Sequence, residues 1–535
     1  MSKQMLNQLP SKHLAQGVGL LTLTGLIAKV LSAMYRIPLQ NMVGNAGFYV
    51  YQQVYPLYGI GVVLALSGWP MLIAKVVSEQ NSQRQAKVAA ARLHRILVVI
   101  SLILFSGIYL GAPVLAYWMG GDLQLNPVIQ MVAWMFLFMP ILATARGYSQ
   151  GLLNMKPTAI SQIVEQLGRV LIIVGVAWWA QNHNWTIYQI GQGTMAGAPL
   201  AALVASLVLW PTFRQFGLVK MRTDERDAWP HLRWMILAKR LWYEGGLLVL
   251  VTALLVLFQL MDSFSVKGLL VHSGFLPAQA ESWKGVYDRG QPLVQLGMVL
   301  ATSLGTVLLP NLRQFFVQQK KQAFQRDFQR SFHLSLFMIL LTTVGMLAVM
   351  PYLNQTLFGS RQGTAVLDVY VLSMIPATLM TVGVTVLQSL DQTRHLWWKL
   401  TLGIGCKWLL NQALMPGMGL IGASWATVAS LSLVWILVWW QLPQMLRQPT
   451  PFAPRWLAKI ICVTGLMGMI VSLTLFLLGN QLPTTRLMSS GLLCVGVILG
   501  GVISAFLTIY GKLLTVDEWQ LLPYGKRIIK IFKIR

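Results

Sequence analysis

Acidic residues are scarce in this chain. It has 535 residues but only 15 Asp and Glu, against 41 Lys and Arg. Charged residues of both signs make up 10% of it, where a soluble globular protein carries about 25%. With 56% hydrophobic residues, 20 Trp, 20 Phe and 26 Met, a soluble core is excluded. Cysteine is also rare. Cys406, Cys462 and Cys494 lie far apart in apolar runs, so neither a disulfide framework nor a metal motif is indicated. No Gly-rich phosphate cradle is present, which excludes ATP as the direct drive. No two acids pair inside an apolar run. An enzyme acting on a polyprenyl phosphate needs clustered carboxylates, so the chain is not expected to be an enzyme. The first apolar run begins near Leu14, carries Lys29 and lacks a small-x-small ending, so no cleavable signal peptide is expected.

What is present is apolar runs of about 20 residues from end to end, each long enough to cross a bilayer as a helix. They predict an all-α polytopic membrane protein of about fourteen spans, at 14–36, 48–74, 96–118, 127–145, 158–180, 186–212, 241–266, 285–310, 332–356, 366–390, 396–415, 419–441, 456–479 and 486–511. Gly120-Gly121-Asp122 separates spans three and four, and Pro416-Gly417-Met418-Gly419 makes a tight hairpin between spans eleven and twelve. Of the 41 Lys and Arg, 32 fall in alternate loops and at the two ends of the chain. That pattern puts both termini in the cytoplasm of a cell membrane and requires an even number of spans. It also accounts for the net charge of +26 without a nucleic-acid partner.

The stretch Tyr51 to Ser67 in span two matches Tyr287 to Ser303 in span eight without a gap, at an offset of 236 residues. A weaker match joins Gly197–Ser206 in span six to Gly422–Ser430 in span twelve. An even separation of six spans implies a parallel repeat, as in transporters built from two halves. The expected organisation is an N-terminal lobe (1–212, spans one to six), a basic cytoplasmic linker (213–240) and a C-terminal lobe (241–441, spans seven to twelve). Spans thirteen and fourteen and a basic tail (442–535) stand outside the repeat.

Charge inside spans is costly unless it faces a protein interior or a water-filled cavity, so the few such residues form the functional shortlist. Lys29 and Arg36 lie about two turns apart in span one, within reach of the same helix face. Asp288 and Arg289 open span eight, where the first lobe has Gln52 and Gln53. That asymmetry points to a task for Arg289, such as meeting a phosphate, which its planar fork suits. Asp262 in span seven is a candidate counter-ion or H+ or Na+ site. Glu165 and Arg169 are spaced i, i+4 with the acid first, which favours an ion pair within span five. Lys407 has no obvious partner in the sequence.

Several motifs carry a resemblance. Tyr287-Asp-Arg-Gly-Gln-Pro-Leu293 with Leu309-Pro310, Arg146-Gly-Tyr-Ser-Gln-Gly-Leu-Leu-Asn-Met-Lys-Pro-Thr158, Ser161 to Val170, Ala28-Lys29 and Tyr35-Arg36-Ile-Pro38 resemble MurJ-type lipid II flippases. These belong to the multidrug/oligosaccharidyl-lipid/polysaccharide (MOP) exporter superfamily. The resemblance spans essentially the whole chain. Gram-negative members carry a further arginine in the second helix, whereas Phe48 to Ala74 holds no charge here, a pattern closer to the Gram-positive branch. The resemblance implies alternating access, a cationic cavity that receives a lipid-linked anionic oligosaccharide, and an apolar groove at the last two helices for its tail. Lys29, Arg36 and Arg289 would then bind the anion, with Asp288 beside them. No cofactor is implied beyond a coupling ion (H+ or Na+) or the membrane potential. Membrane lipids and cell-wall synthesis proteins are the expected partners. The function expected is lipid II flipping. The alternatives are export of another polyprenyl-linked unit (capsule, teichoic or spore-wall type) or a non-transporting cell-wall scaffold. Drug or cation antiport fits poorly, because basic charges in the spans repel cations.

Overall fold

A computed structural model describes residues 24–28, 30–220, 228–299, 315, 318–447, 454–480, 485–521 and 525–532. The protein is all-helical, as the apolar periodicity requires. Eleven helical runs among the described residues are long and apolar enough to cross a membrane. This is fewer than fourteen for a physical reason. The run Thr24–Ser78 holds spans one and two, and Leu396–Gln441 holds spans eleven and twelve. Each is broken at a glycine in the left-handed region, Gly44 (φ 70°) and Gly419 (φ 55°), a conformation that costs glycine little. Span eight starts within the helix Pro277–Asp288 and runs beyond the described residues.

Contacts divide the chain into two compact units, Met1–Gly285 and Val286–Arg535. In the first, small residues let helices approach closely. A Cβ on Gly147 of span four (Met139–Gly151) would lie 2.6 Å from Ile73 Cβ and 2.8 Å from the Pro70 carbonyl. Gly151 lies as close to Val77. Lipid offers no hydrophobic drive to join helices, so this close packing is what holds them. Span seven (Gly246–His272) also belongs to the first unit by its contacts. The linker is held as well: Arg84, Arg92 and Arg95 of span three (Gln83–Leu110) donate to the carbonyls of Lys220, Leu232 and Val219.

In the second unit, span nine (Lys321–Phe358) is the spine. Spans thirteen (Pro454–Gly479) and fourteen (Arg486–Tyr510) pack along it through Val349, Met467, Val471, Leu475 and Leu492. At one end, Tyr352 donates to the Leu475 carbonyl at 2.8 Å and Arg486 to the Thr356 carbonyl at 2.9 Å. Trp118, Trp178, Trp179, Trp242 and Trp440 are exposed, consistent with a lipid-facing surface.

Candidate functional site

The site is built on span two (Arg36–Val63 after the break at Gly44). Tyr51, Tyr55 and Tyr58 follow one another at i, i+4 and i+7, so their rings line one face of the helix. Ring centroids are 6.2 Å apart for Tyr51–Tyr55 and 5.5 Å for Tyr55–Tyr58. Tyr35, from the end of span one, closes the row: its hydroxyl lies 2.6 Å from that of Tyr51. Two arginines enter this cage. The Arg36 guanidinium sits 4.1 Å from the Tyr55 ring. That of Arg169, from span five (Lys156–Gln181), sits 4.5 Å from Tyr58 and 5.0 Å from Tyr35.

Both arginines are buried, Arg36 completely. None of the three Arg36 guanidinium nitrogens meets a hydrogen-bond acceptor among the described residues. Arg169 donates from Nη2 to Ser32 Oγ (3.3 Å) and Gln166 Oε1 (3.1 Å), while Nε and Nη1 have no acceptor among those residues. Unmet buried donors are expensive, and a buried cation in a membrane protein is more so. Tyrosine faces compensate part of the charge. The remaining N–H groups point to an anion, whose oxygens would take them in pairs.

The expected Glu165–Arg169 pair is therefore corrected. Glu165 accepts instead from Arg146 Nη2 at 2.5 Å. Arg146 also donates to Ser161 Oγ (3.1 Å) and the Ala65 carbonyl (3.2 Å). In the sequence Arg146 reads as a loop residue, but span four continues to Gly151 and carries its side chain into the interior. With Glu165 engaged by Arg146, Arg169 turns to the tyrosine rings, Ser32 and Gln166.

Arg289 is also buried. Its Nη1 donates to Asn354 Oδ1 (3.0 Å) and Ser360 Oγ (3.1 Å), over the Phe358 ring at 5.2 Å. The repeat-equivalent Gln53 does the matching job in the first unit, donating to the carbonyls of Met119 (2.8 Å) and Ser263 (2.7 Å). Met119 caps the short helix Ala112–Trp118 that follows span three, and Asn354 nearly ends span nine, six spans on. So Gln and Arg at equivalent places brace equivalent helix ends. The repeat differs more at the cage, where Tyr55 and Tyr58 align with Gln291 and Val294.

Asp288 and Asp262 are both buried. Lys29 lies outside the described residues. Lys407, whose partner the sequence left open, donates to Asn411 Oδ1 (3.0 Å), the Ala423 carbonyl (3.0 Å) and Thr427 Oγ1 (2.8 Å). The tyrosine cage is what sequence reasoning missed. Its signal was available in the i, i+4, i+7 spacing of Tyr51, Tyr55 and Tyr58.

The geometry is that of a cationic, tyrosine-lined site inside the helix bundle of a multi-pass membrane protein. The chain belongs to the polysaccharide biosynthesis protein family, which it matches over residues 14–316. It is 32% identical over 534 residues to an uncharacterized membrane protein, YabM, of Bacillus subtilis (strain 168), covering 97% of each chain. It is 25% identical over 497 residues to the lipid II flippase MurJ of the same organism, covering 88% of this chain and 90% of that one. Among solved structures, a lipid II flippase MurJ in an inward closed conformation superposes with a TM-score of 0.64 at 12% identity, over 92% of this chain and 98% of that one. The fold is therefore MurJ-like.

Proposed function

We propose that this protein is a flippase that carries an undecaprenyl-diphosphate-linked precursor, lipid II of peptidoglycan synthesis, from the inner to the outer leaflet by alternating access. The observation that carries this reading is the pair Arg36 and Arg169, buried in the tyrosine cage with guanidinium N–H groups unmet. Two adjacent cations suit a diphosphate, and tyrosine faces suit the sugar attached to it. The family match and the likeness to MurJ support a lipid-linked substrate. A cationic drug would be repelled from the cage. Lys29, on the same span as Arg36, would extend the basic path. Arg289, with Asp288 beside it, would contribute by fixing the end of span nine in the second unit. Asp262, buried in span seven, would take a coupling H+ or Na+ where the membrane potential does not suffice.

Complementation tests the reading. The resident lipid II flippase of a bacterium is depleted, this chain is supplied, and exposure of lipid II on the outer leaflet is measured. Rescue by the natural sequence, lost in Arg36→Ala and Arg169→Ala at equal protein level, is the expected result. Failure of the natural sequence to rescue, despite membrane insertion, would turn the assignment to another polyprenyl-linked unit of capsule, teichoic or spore-wall type. Rescue that survives both substitutions would refute the site.

A further inference from the structure

Basic residues are rare at the span ends away from the basic loops. Only Lys267, Lys284, Arg361 and Arg486 stand there in the sequence, as expected where cations are kept to the opposite side. Lys267 and Lys284 are buried. Arg361 and Arg486 are exposed, and the second unit brings these two, far apart in sequence, to one place.

The last turn of span nine collects them. Gln355 Oε1 accepts from Arg361 Nε at 2.7 Å and from Ser489 Oγ of span fourteen at 2.7 Å. Arg486, which opens span fourteen, donates from Nε to the Thr356 carbonyl (2.9 Å) and from Nη2 to the Leu357 carbonyl (3.2 Å). Three successive residues, 355 to 357, therefore carry two guanidinium groups. The turn that presents Arg361 is fixed as well. It runs between two glycines in the left-handed region, Gly359 (φ 76°) and Gly363 (φ 74°). Asn354 donates to the Gln362 carbonyl at 2.9 Å and Arg289 to Ser360 Oγ at 3.1 Å. The Arg361 guanidinium lies 5.0 Å from the Tyr352 ring.

Helix capping accounts for part of this, since an arginine can take up the last carbonyls of a helix. It does not account for the rest. Neither arginine pairs with a carboxylate among the described residues, and there both Nη groups of Arg361 and Nη1 of Arg486 meet no acceptor. Holding two long side chains in one geometry costs rotamer freedom, and two like charges side by side repel. An anion of two charges offsets both, because phosphate oxygens take guanidinium N–H groups in pairs. Leu487, the next residue, is exposed, as are Phe476 and Leu477 near the end of span thirteen. The ligand that fits has a doubly anionic head and an apolar chain.

We propose that Arg361 and Arg486 form a subsite for the diphosphate of a polyprenyl-linked lipid, on the side where the carried lipid is released. Adjacent phosphates match two guanidinium groups held on one helical turn. A phospholipid presents one phosphate and leaves the other arginine unmatched, and cardiolipin presents two that are spaced by glycerol. The proposal deepens the flippase reading above and rests on it. By the charge pattern of the loops, the subsite faces the outer leaflet.

Phenylglyoxal, which modifies exposed arginine side chains, reads the two positions separately when peptides are resolved by mass spectrometry. The full chain is used in phosphatidylcholine nanodiscs. Undecaprenyl diphosphate should slow modification of Arg361 and Arg486 about tenfold or more, and leave the exposed Arg394 on the basic-loop side unchanged. Phosphatidylglycerol or cardiolipin in the same amount should slow it less than about twofold. Arg361→Gln should abolish protection of Arg486, and Arg486→Gln that of Arg361, a linkage that capping alone does not produce. Absence of protection, equal protection by cardiolipin or phosphatidylglycerol, or protection of Arg486 that survives Arg361→Gln would overturn the proposal. Outer-leaflet exposure of lipid II is measured alongside. If both arginines are protected while the natural protein moves no lipid-linked precursor, the subsite stands and the flippase reading falls. If precursor is moved and neither arginine is protected, this proposal alone falls.

Discussion

Two buried arginines of the first unit should respond to the same substitution with opposite signs. Arg36→Met removes three guanidinium nitrogens that meet no acceptor among the described residues. An unmet buried polar group costs about 1–3 kcal/mol. The compensating contact with the Tyr55 ring, 4.1 Å away, contributes about 0.5–2 kcal/mol. The variant should therefore be as stable as the natural protein or more so, by something on the order of 1 kcal/mol, and should have lost transport. Arg146→Met is the opposite case. Arg146 is fully buried against Glu165 and braces Ser161 and the Ala65 carbonyl. Removing one partner of a buried pair costs about 3–5 kcal/mol. Thermal unfolding in one detergent, followed by tryptophan fluorescence, gives the two signs. Outer-leaflet lipid exposure gives the function. Stability given up to hold an unsatisfied site is what a binding role predicts. If Arg36→Met were as destabilising as Arg146→Met, the guanidinium would be structural and the cage would not be a binding site.

Other outcomes follow from single contacts. Asn354→Leu should destabilise by about 1–3 kcal/mol, because it removes an acceptor from the buried Arg289. Gln53→Leu should cost a similar amount, leaving the carbonyls of Met119 and Ser263 unmet. Both are read by thermal unfolding. Gly147→Val should cost about 1–3 kcal/mol or more through overpacking against Ile73 and the Pro70 carbonyl, seen as reduced yield of folded protein. Glu518 lies in the short helix Val516–Leu521 after span fourteen. Burial pushes its carboxyl up, but hydrogen bonds from His333 and from the Thr515 N–H and hydroxyl outweigh this and hold it below the usual carboxylate range. A depressed carboxylate stabilises above its unfolded value and stops doing so as pH falls through its folded one. The stability gap between the natural protein and Glu518→Gln should thus be present at neutral pH and close in acid, as measured by proteolysis of the tail.

The sequence by itself determined the membrane character, the helical class and the positions of most spans, because length and hydropathy are local properties that the bilayer reads directly. It also showed the repeat between Tyr51–Ser67 and Tyr287–Ser303, and it placed Arg36 on the shortlist. It did not decide who pairs with whom. Spacing favoured Glu165 with Arg169, but helix i, i+4 attraction is worth only about 0.2–0.5 kcal/mol. A buried arginine from another span, Arg146, outweighs it. The difference between Gln53 and Arg289 looked like a functional asymmetry. In the fold the two residues brace equivalent helix ends with different chemistry. Only tertiary structure brought Tyr35, Arg36 and Arg169 to one place on span two. Residues 133 positions apart in sequence, Arg36 and Arg169, meet because close packing of spans is set by side chains on facing helices, which no local pattern along one helix records.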